Sequence, residues 1–383
     1  MRLLILGGDG YLGWPTAMHF AAAGHEVCLA DNYLRRRICL ETNSEPLVNP
    51  PSLPDRAALF EALSGHRIEV AIGDCADYDF LSALVQRFQP ETLIHYAEQP
   101  SAPYSMLDYR AARLTLDNNL GATFNAIWAV KEQAPACHIV KLGTMGEYGT
   151  PNIDIEEGWI SIEHKGRQDR FLFPRQAGSL YHTTKVLDTD LLWFYVRTHG
   201  LKVTDLMQGP VYGLRTAETD LDPRLTTIFN YDDIFGTVVN RFVTQAVAGI
   251  PLTVYGKGGQ TRGYLNLKDT IQCVALAVNT PAGPGELRVL NQFTESFSVN
   301  QLAERICRVG NSLGLEVKVE TLDNPRKELE EHYYNPAHSG LLELGLKPHY
   351  LTDEVAAEML QTVLQHRQAI DPRKVRPRVF WKR

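Results

Sequence analysis

The chain has 383 residues, of which 44% are hydrophobic, and its formal net charge at pH 7 is −7. This length allows two to three domains with substantial cores, and the negative charge gives a nucleic-acid partner no overall electrostatic support. No apolar run approaches the roughly 18 residues needed to cross a membrane, so we expect no membrane insertion.

The six cysteines are scattered and form no close pairs, which predicts buried free thiols in a reducing compartment rather than a zinc site or a disulfide framework. The chain opens directly on a predicted strand, which leaves no room for a signal or transit peptide, so we expect a cytoplasmic protein. The cysteines are Cys28, Cys39, Cys75, Cys137, Cys273 and Cys307.

The first element, Arg2–Leu6, is a short apolar run typical of a buried parallel strand. It leads into a glycine-rich turn and then a helical pattern. In a dinucleotide site, Gly7 permits the tight turn, Gly10 lets backbone N–H groups approach a pyrophosphate, and Gly13 lets the helix pack closely. A turn with packing glycines alone is the alternative. The neighbouring candidates for cofactor contact are Asp9, Tyr11 and Leu12.

A second strand, Glu26–Ala30, ends in Asp31, which is placed to accept hydrogen bonds from a ribose 2′-hydroxyl. This position favours NAD over NADP. The adjacent run Arg35-Arg36-Arg37 offers a competing partner for a 2′-phosphate, but the position of Asp31 is better defined. Asn32 and Arg35 are further candidates for cofactor contact.

The segment from Asn32 to Pro54 is predicted to be irregular, followed by a helix over Asp55–Leu63. The third strand, Arg67–Ile72, leads to Asp74 and Cys75. Asp74 suits a bond to the adenine amino group, and a helix N-cap, for which Asp77 or Asp79 competes, is the alternative.

Strand and helix alternate five times in the first 145 residues, which predicts an α/β fold with a doubly wound parallel Rossmann sheet. Ligands of such sheets bind at the carboxyl ends of the strands, where several further candidates fall: Ala97, Glu98 and Gln99 after the fourth strand, and Thr144 after the fifth. The later elements in this reading are helix Tyr78–Phe88, strand Glu91–His95, helix Arg110–Gln133 with Asn118 inside it, and strand His138–Leu142.

After the fifth strand the pattern changes twice. Residues 151–178 have little periodicity and are predicted to form a flap over the cleft; helix Ser179–Thr198 and a sixth strand, Leu201–Leu206, follow, and Gln208 lies just beyond. From about residue 214 the alternation weakens. We therefore predict an NAD-binding domain over 1–213 and a smaller α/β domain, mainly for substrate, over 214–383.

Tyr181 and Lys185 are four residues apart on one predicted helix, so they share a face. A phenol of pKa ~10 is a poor base at neutral pH, but a neighbouring ammonium and a positive nicotinamide favour phenolate. Thr144 can donate a hydrogen bond to the same hydroxyl. This trio beside an NAD site suits abstraction of an alcohol proton with hydride transfer.

These motifs resemble the extended short-chain dehydrogenases that act on nucleotide sugars. The resemblance rests on the glycine turn, Thr144, the Tyr181–Lys185 pair, Val211-Tyr212-Gly213 and the stretch Val254–Arg262 (VYGKGGQTR). More narrowly, residues 141–158 (KLGTMGEYGTPNIDIEEG), 256–264 and 291–298 are similar to the members that use sulfite to make the headgroup donor of a sulfolipid.

This resemblance implies a reaction of UDP-glucose with sulfite and tightly held, recycled NAD. Tyr181 and NAD would oxidise C4, water would leave across C5–C6, sulfite would add at C6, and the hydride would return to C4. The keto group acidifies the C5 proton, which explains a redox cofactor in a net non-redox reaction. A homodimer formed through the long helices is also implied.

The chain departs from the family pattern twice. Sugar 4,6-dehydratases carry Asp-Glu after the threonine, whereas here Met145-Gly146 follows and Glu147 comes one position late. Met145 then supplies an apolar wall near C6, and Glu147 and His182 are alternative acid–base groups. The second departure is Pro100, where an arginine is expected; its loss leaves open what meets sulfite, and whether sulfite arrives free or from a partner protein.

For the UDP end, Arg262 and Arg326 suit a diphosphate because guanidinium groups pair with phosphate oxygens. The resemblance supplies the remaining candidates for substrate contact, which are Gln99, Ser101, Gln208, Asn240, Arg241, Tyr255, Gln260 and Tyr333. Two other functions compete with the sulfite reaction. One is a UDP-hexose 4-epimerase or 4,6-dehydratase, and the other is an NAD-bound sensor without turnover.

Overall fold

The computed structural model describes residues 1–324 and 333–376. Its strands are β1 (Arg2–Leu6), β2 (Glu26–Asp31), β3 (Ile68–Ile72), β4 (Thr92–His95), β5 (His138–Thr144), β6 (Trp159–His164), β7 (Arg167–Leu172), β8 (Lys202–Gln208), β9 (Val211–Tyr212), β10 (Leu252–Tyr255), β11 (Thr261–Asn266), β12 (Leu287–Gln292), β13 (Glu295–Ser298) and β14 (Val319–Leu322). Its α-helices are α1 (Gly13–Ala22), α2 (Leu34–Thr42), α3 (Leu53–Ser64), α4 (Tyr78–Phe88), α5 (Ala102–Ser105), α6 (Tyr109–Gln133), α7 (Leu180–His199), α8 (Val238–Ala248), α9 (Leu267–Asn279), α10 (Val299–Ser312), α11 (Ser339–Glu343) and α12 (Asp353–Leu364).

The centre of the fold is a seven-stranded sheet in the order β12-β8-β5-β4-β1-β2-β3. Every neighbouring pair is parallel, and β1 lies between β2 and β4. The chain reverses its direction of winding beside β1, which creates the crevice where doubly wound sheets bind ligands. The predicted α/β Rossmann fold is confirmed.

Helices cover both faces of this sheet, as a wholly parallel sheet requires. On one face the core includes Trp14 and Phe20 of α1 and Phe60 of α3. On the other, α4, α6 and α7 contribute side chains such as Leu84, Val130 and Val196. The apolar run of β1 is therefore buried on both sides, which explains its lack of alternation.

The second half of the chain forms further small sheets, β13-β11-β9 and β10-β14, around a separate hydrophobic cluster. Helices α8, α10 and α12 supply much of that cluster. Strand β12 returns to the edge of the large sheet beside β8. The predicted boundary between residues 213 and 214 stays a prediction.

Two segments differ from, or add to, what the pattern indicates. The stretch expected to be irregular, 32–54, contains helix α2, of which only Ile38 and Cys39 are buried. A helix with so narrow an apolar stripe gives little hydrophobic periodicity, so the sequence pattern did not predict it. In the segment expected to act as a flap, β6 and β7 pair as an antiparallel hairpin.

All six cysteines fall within the described residues and are free thiols, five of them buried. Among residues 1–324 and 333–376, no helix combines the length and apolar character needed to cross a membrane. At the basic end of the chain, Lys374 pairs with Glu45 at 2.8 Å.

Candidate active site

The glycine-rich turn sits between β1 and α1 and has no room for side chains. Gly7 has φ +85°, and a Cβ there would lie 2.6 Å from the carbonyl carbon of Tyr96. A Cβ on Gly13 would lie 2.1 Å from the carbonyl oxygen of Gly7. The first turn of α1 therefore approaches the strand closely, and its N-terminus offers N–H groups and a positive dipole end to an anion.

The side chain of Asp9, within this turn, faces away from the cavity. Arg36 binds its carboxylate with two hydrogen bonds, at 2.6 and 2.7 Å. Arg56 binds it at 2.5 Å, and both Asp9 and Arg56 are almost fully buried. Arg36 also donates to the carbonyls of Pro50 and Pro51. The Asp9 carboxylate therefore forms a clamp, with Arg36 and Arg56, that joins the turn to α2 and α3, and the cofactor contact expected of Asp9 stays a prediction.

Asp31 lies at the carboxyl end of β2 and lines the cavity. Its carboxylate accepts hydrogen bonds from the backbone N–H of Asp9 at 2.9 Å and of Tyr33 at 2.6 Å. Burial, followed by the charge of Asp9, raises the pKa of Asp31 to about 6. At neutral pH this side chain is an acceptor suited to a ribose hydroxyl, which fits NAD.

Arg35 points towards the same region from α2. It donates to Asn230 at 2.7 Å and lies over the ring of Phe235 at 4.8 Å. Its buried Nε has no hydrogen-bond partner among the described residues. A buried donor without a partner costs free energy, so a polar ligand group suits this place.

A single cavity of about 590 Å³ runs along the carboxyl ends of the strands and continues into the second half of the chain. Asp74 lines it, while Asp77 caps α4 by accepting from the N–H of Asp79. The predicted cofactor residues on its wall are Gly7, Gly10, Tyr11, Leu12, Gly13, Asp31, Asn32, Arg35, Asp74, Cys75, Ala97, Glu98, Asn118, Tyr181 and Gln208.

The predicted catalytic trio is only partly arranged as expected. Thr144 and Tyr181 line the cavity, whereas Lys185 does not. The Lys185 ammonium lies 6.0 Å from the centre of the Tyr181 ring. It bonds to Glu98 at 2.7 Å and donates to the carbonyl of Leu142 at 2.5 Å. Burial, with the charge of Glu98, raises the pKa of Tyr181, and the lowering expected from the lysine together with a positive nicotinamide stays a prediction.

Glu147 lies beneath the cavity and does not line it. Its carboxylate accepts from Lys141 at 3.2 Å, from the backbone N–H of Thr144 at 3.3 Å and from Thr189 at 3.3 Å. Lys141 also pairs with Asp205 at 3.3 Å, and all these side chains are buried. This geometry gives Glu147 a structural task, holding the end of β5 where Thr144 stands.

His182 and Met145, in contrast, both line the cavity. The Nδ1 atom of His182 lies 3.0 Å from the hydroxyl of Ser179, which also caps α7. A Cβ on Gly146 would lie 2.3 Å from His182 Nε2. Glycine at 146 therefore leaves the space that the imidazole occupies beside Thr144.

The far end of the cavity carries the groups expected to hold a UDP-sugar. Arg241 donates to the carbonyl of Thr253 at 3.2 Å and lies 4.5 Å from the centre of the Tyr255 ring. The Arg241 Nε, the Tyr255 hydroxyl and the Gln260 Oε1 are buried without hydrogen-bond partners among the described residues. Such unsatisfied groups fit a polar ligand. The predicted substrate residues on the wall are Gln99, Ser101, Thr144, His182, Gln208, Arg241, Tyr255, Gln260 and Arg262.

Two of the described substrate candidates lie off the cavity wall. Asn240 is buried beside Arg241 but is not on the cavity wall, and Tyr333 is exposed and bonds to Asp154. Arg326 lies outside the described residues. The neighbouring Tyr334 lines the cavity instead, and its hydroxyl accepts from the N–H of Gly263 at 3.0 Å.

Sequence reasoning missed the second arginine of the clamp. Arg56 stands in α3 among Leu53, Ala57 and Phe60, which are buried at helical spacing. An arginine on the apolar face of a helix signals a buried ion pair, because burying a lone charge is costly. The sequence therefore indicated that Arg56 has a buried partner, but it did not indicate that this partner is Asp9.

The fold and the site together define the class of protein, which is an NAD-dependent enzyme of the extended short-chain dehydrogenase type. The defining features are the doubly wound sheet, the glycine turn, the acidic residue at the end of β2 and the tyrosine on the cavity wall. The model described as the NAD dependent epimerase/dehydratase family matches residues 3–291, and the chain belongs to that family. Its cofactor is NAD, as predicted.

Two curated relatives match the whole chain. It is 48% identical over 382 residues to "UDP-sulfoquinovose synthase, chloroplastic" of Spinacia oleracea, covering 79% of that protein. It is 44% identical over 386 residues to "UDP-sulfoquinovose synthase" of Sulfolobus acidocaldarius, covering 98% of it. Among solved structures, UDP-glucose 4-epimerase from Bifidobacterium longum in complex with NAD+ and UDP has a TM-score of 0.71 at 18% identity, over 96% of this chain and 100% of that chain. The last likeness shows the shared fold.

Proposed function

We propose that this protein joins hydrogen sulfite to C6 of UDP-glucose, giving UDP-sulfoquinovose and water. The observation that carries this proposal is full-length identity of 48% and 44% to two proteins named as that synthase. The continuous cavity supports it, because one wall suits NAD and the far end suits a UDP-sugar.

NAD, when bound, supplies a hydride acceptor that is regenerated within each cycle. Tyr181 takes the proton of the C4 hydroxyl while the hydride leaves C4, and Thr144 orients that hydroxyl. Tyr181 later returns the proton when C4 is reduced again. Both side chains stand on the cavity wall, which supports these roles.

The C4 ketone acidifies the C5 proton, so a base can remove it while the C6 hydroxyl leaves as water. His182 suits this acid–base step better than Glu147, because its imidazole faces the cavity and Ser179 fixes its orientation. The apolar Met145 forms the wall nearby. Sulfite then adds to C6 and a proton returns to C5, which completes the balance of atoms.

The decisive experiment supplies purified protein with UDP-glucose and isotopically labelled sulfite. We expect a UDP-sugar with a C–S bond, identified by mass spectrometry, and formation of that product at least about 100-fold more slowly with Tyr181→Phe. UDP-galactose would indicate a 4-epimerase instead, and a stable 4-keto sugar would indicate a 4,6-dehydratase. A C–S product that forms only when cell extract is added would point to a partner protein that delivers sulfite.

We further propose a homodimer through α6 and α7, which pack together. Their outer surface exposes Phe124 and Phe194, 42% and 49% accessible, around the ring of Tyr195. An exposed aromatic cluster of this kind is typical of an interface. Light scattering of Phe194→Glu is expected to show a monomer, and an unchanged dimer would reject this surface.

A further inference from the structure

Glu98 is a carboxylate on the wall of the reaction cavity, directly after β4. Its side chain is 2% exposed, and its Oε1 lies 2.7 Å from the ammonium of Lys185. Apart from that ion pair, neither carboxylate oxygen has a hydrogen-bond partner among the described residues. A buried carboxylate needs compensation, and here the compensation comes from Lys185.

The ammonium of Lys185 has three N–H donors, and two are already directed by protein groups. One faces Glu98, and another donates to the carbonyl of Leu142 at 2.5 Å. The pair as a whole carries no net charge. Because the ammonium lies 6.0 Å from the centre of the Tyr181 ring, the carboxylate of Glu98 lies within about 9 Å of that ring. At such distances the negative charge largely cancels the effect of the positive one on the phenol.

The other titratable groups packed around Glu98 do not alter this balance. His95 Nε2 lies 3.6 Å from Glu98 Oε1, but burial lowers the pKa of His95 to about 4, so the imidazole is neutral. Burial and the charge of Glu98 raise the pKa of Asp188 well above its ordinary value, which favours its neutral acid. On β5, Lys141 is occupied by Glu147 and Asp205.

We propose that Glu98 is a positioning residue for the reaction at Tyr181: it anchors the Lys185 ammonium and offsets its charge, so that the phenol responds to the oxidation state of bound NAD. This inference rests on the proposed C4 redox cycle. In that cycle Tyr181 accepts the C4 proton in one half-reaction and returns it in the other. A phenol held permanently as phenolate by an uncompensated lysine is a good base but a poor acid. When Glu98 offsets the charge of Lys185, the positive nicotinamide of oxidised NAD favours the phenolate form of Tyr181. The neutral nicotinamide of the reduced cofactor favours the protonated phenol.

The test uses Glu98→Gln, which keeps an oxygen for Lys185 and removes the charge. Asp117→Asn, in an exposed ion pair with Arg113 on α6, is the matched control. NAD-loaded protein is mixed rapidly with UDP-glucose without sulfite, and reduction of the cofactor is followed at 340 nm from pH 6 to 9.5. Removing one charge about 9 Å from the phenol, at an effective dielectric constant of about 20, shifts its ionisation by about one pH unit. We expect the rising limb of the rate profile to move to lower pH by about that amount, with no shift for the control.

Binding supplies a readout that needs no turnover. NAD affinity of the cofactor-free protein, measured by quenching of tryptophan fluorescence, is expected to stay within about threefold for Glu98→Gln. For Glu98→Ala, which loses the anchor as well, we expect about a tenfold weaker affinity. If the rising limb of the pH–rate profile does not move in Glu98→Gln, the proposal is overturned. This holds even when Glu98→Ala is impaired, because anchoring of Lys185 alone would then explain the effect of Glu98. Absence of a C–S product while the cofactor is still reduced counts against the proposed function alone.

Discussion

Replacing Asp9 with Asn tests the clamp beneath the glycine turn. Arg56 has a fully buried side chain, and among the described residues it donates, besides Asp9, only to the carbonyl of Thr226, at 3.4 Å. Its planar group also lies 4.6 Å from the Trp14 ring. Burial already lowers the pKa of Arg56 to about 10, so it stays charged at neutral pH. Removing its counter-charge leaves a buried cation without compensation, which typically costs about 3–5 kcal/mol.

Arg36 provides the comparison, because its side chain is 29% exposed and its charge can turn towards water. We expect Arg36→Gln to cost about 1 kcal/mol, in the range of a partly exposed ion pair. The double variant Asp9→Asn with Arg56→Met removes both buried charges and should recover most of the loss. Urea denaturation of the cofactor-free proteins measures each free energy of unfolding. A cost below about 1 kcal/mol for Asp9→Asn, or no recovery in the double variant, would refute this account of the clamp.

Four further outcomes are expected. Tyr181→Phe should lower turnover by about 10²–10⁴-fold, the range for loss of a general acid–base group, while NAD stays bound, as measured by absorbance of the released cofactor. NAD affinity should weaken as the pH falls through about 6, because protonated Asp31 no longer accepts from a ribose hydroxyl; in Asp31→Asn, calorimetry should show no such step. The pH dependence of folding stability has the opposite sense, because the pKa of Asp31 is higher in the folded protein than its unfolded value of about 3.9. The contribution of Asp31 to the free energy of unfolding is therefore largest below about pH 3.9 and declines as the pH rises through about 6. Finally, Glu147→Gln should lower the free energy of unfolding, since Lys141 is buried beside Glu147. His182→Gln should leave the free energy of unfolding nearly unchanged and should stop formation of the C–S product while the cofactor is still reduced. The reverse pattern would make Glu147 the acid–base group.

The sequence predicted the elements that follow simple periodicity. Strand β1 and helix α4 have the predicted bounds, and the other strands of the first 145 residues differ by only one or two residues. These elements bury wide apolar faces, so local pattern and tertiary packing agree. Helix α2 was missed because only Ile38 and Cys39 are buried, and its contact through Arg36 with Asp9 is long-range and leaves no local pattern.

For the candidate site, motif spacing predicted which residues come near the cavity better than it predicted their partners. Lys185 was expected beside the Tyr181 ring, and its ammonium does lie 6.0 Å from the ring centre, but its ion pair with Glu98, 87 residues earlier in the chain, was not predicted. Tyr333 was named as a substrate candidate, whereas its neighbour Tyr334 lines the cavity. In an irregular segment, the facing of adjacent side chains depends on the backbone path, which composition does not determine.

The one-position delay of the carboxylate after Thr144 has a structural basis that bears on the chemistry. A short 3-10 helix over Met145–Glu147 follows β5, and it turns Glu147 under the cavity floor towards Lys141. The two positions nearest the cavity then carry an apolar side chain and a glycine, and the glycine's space is filled by His182. A carboxylate cannot occupy position 146 without displacing that imidazole. This geometry favours the proposal that the acid–base group for loss of water comes from α7 rather than from the end of β5, in contrast to a cavity built around an acidic pair.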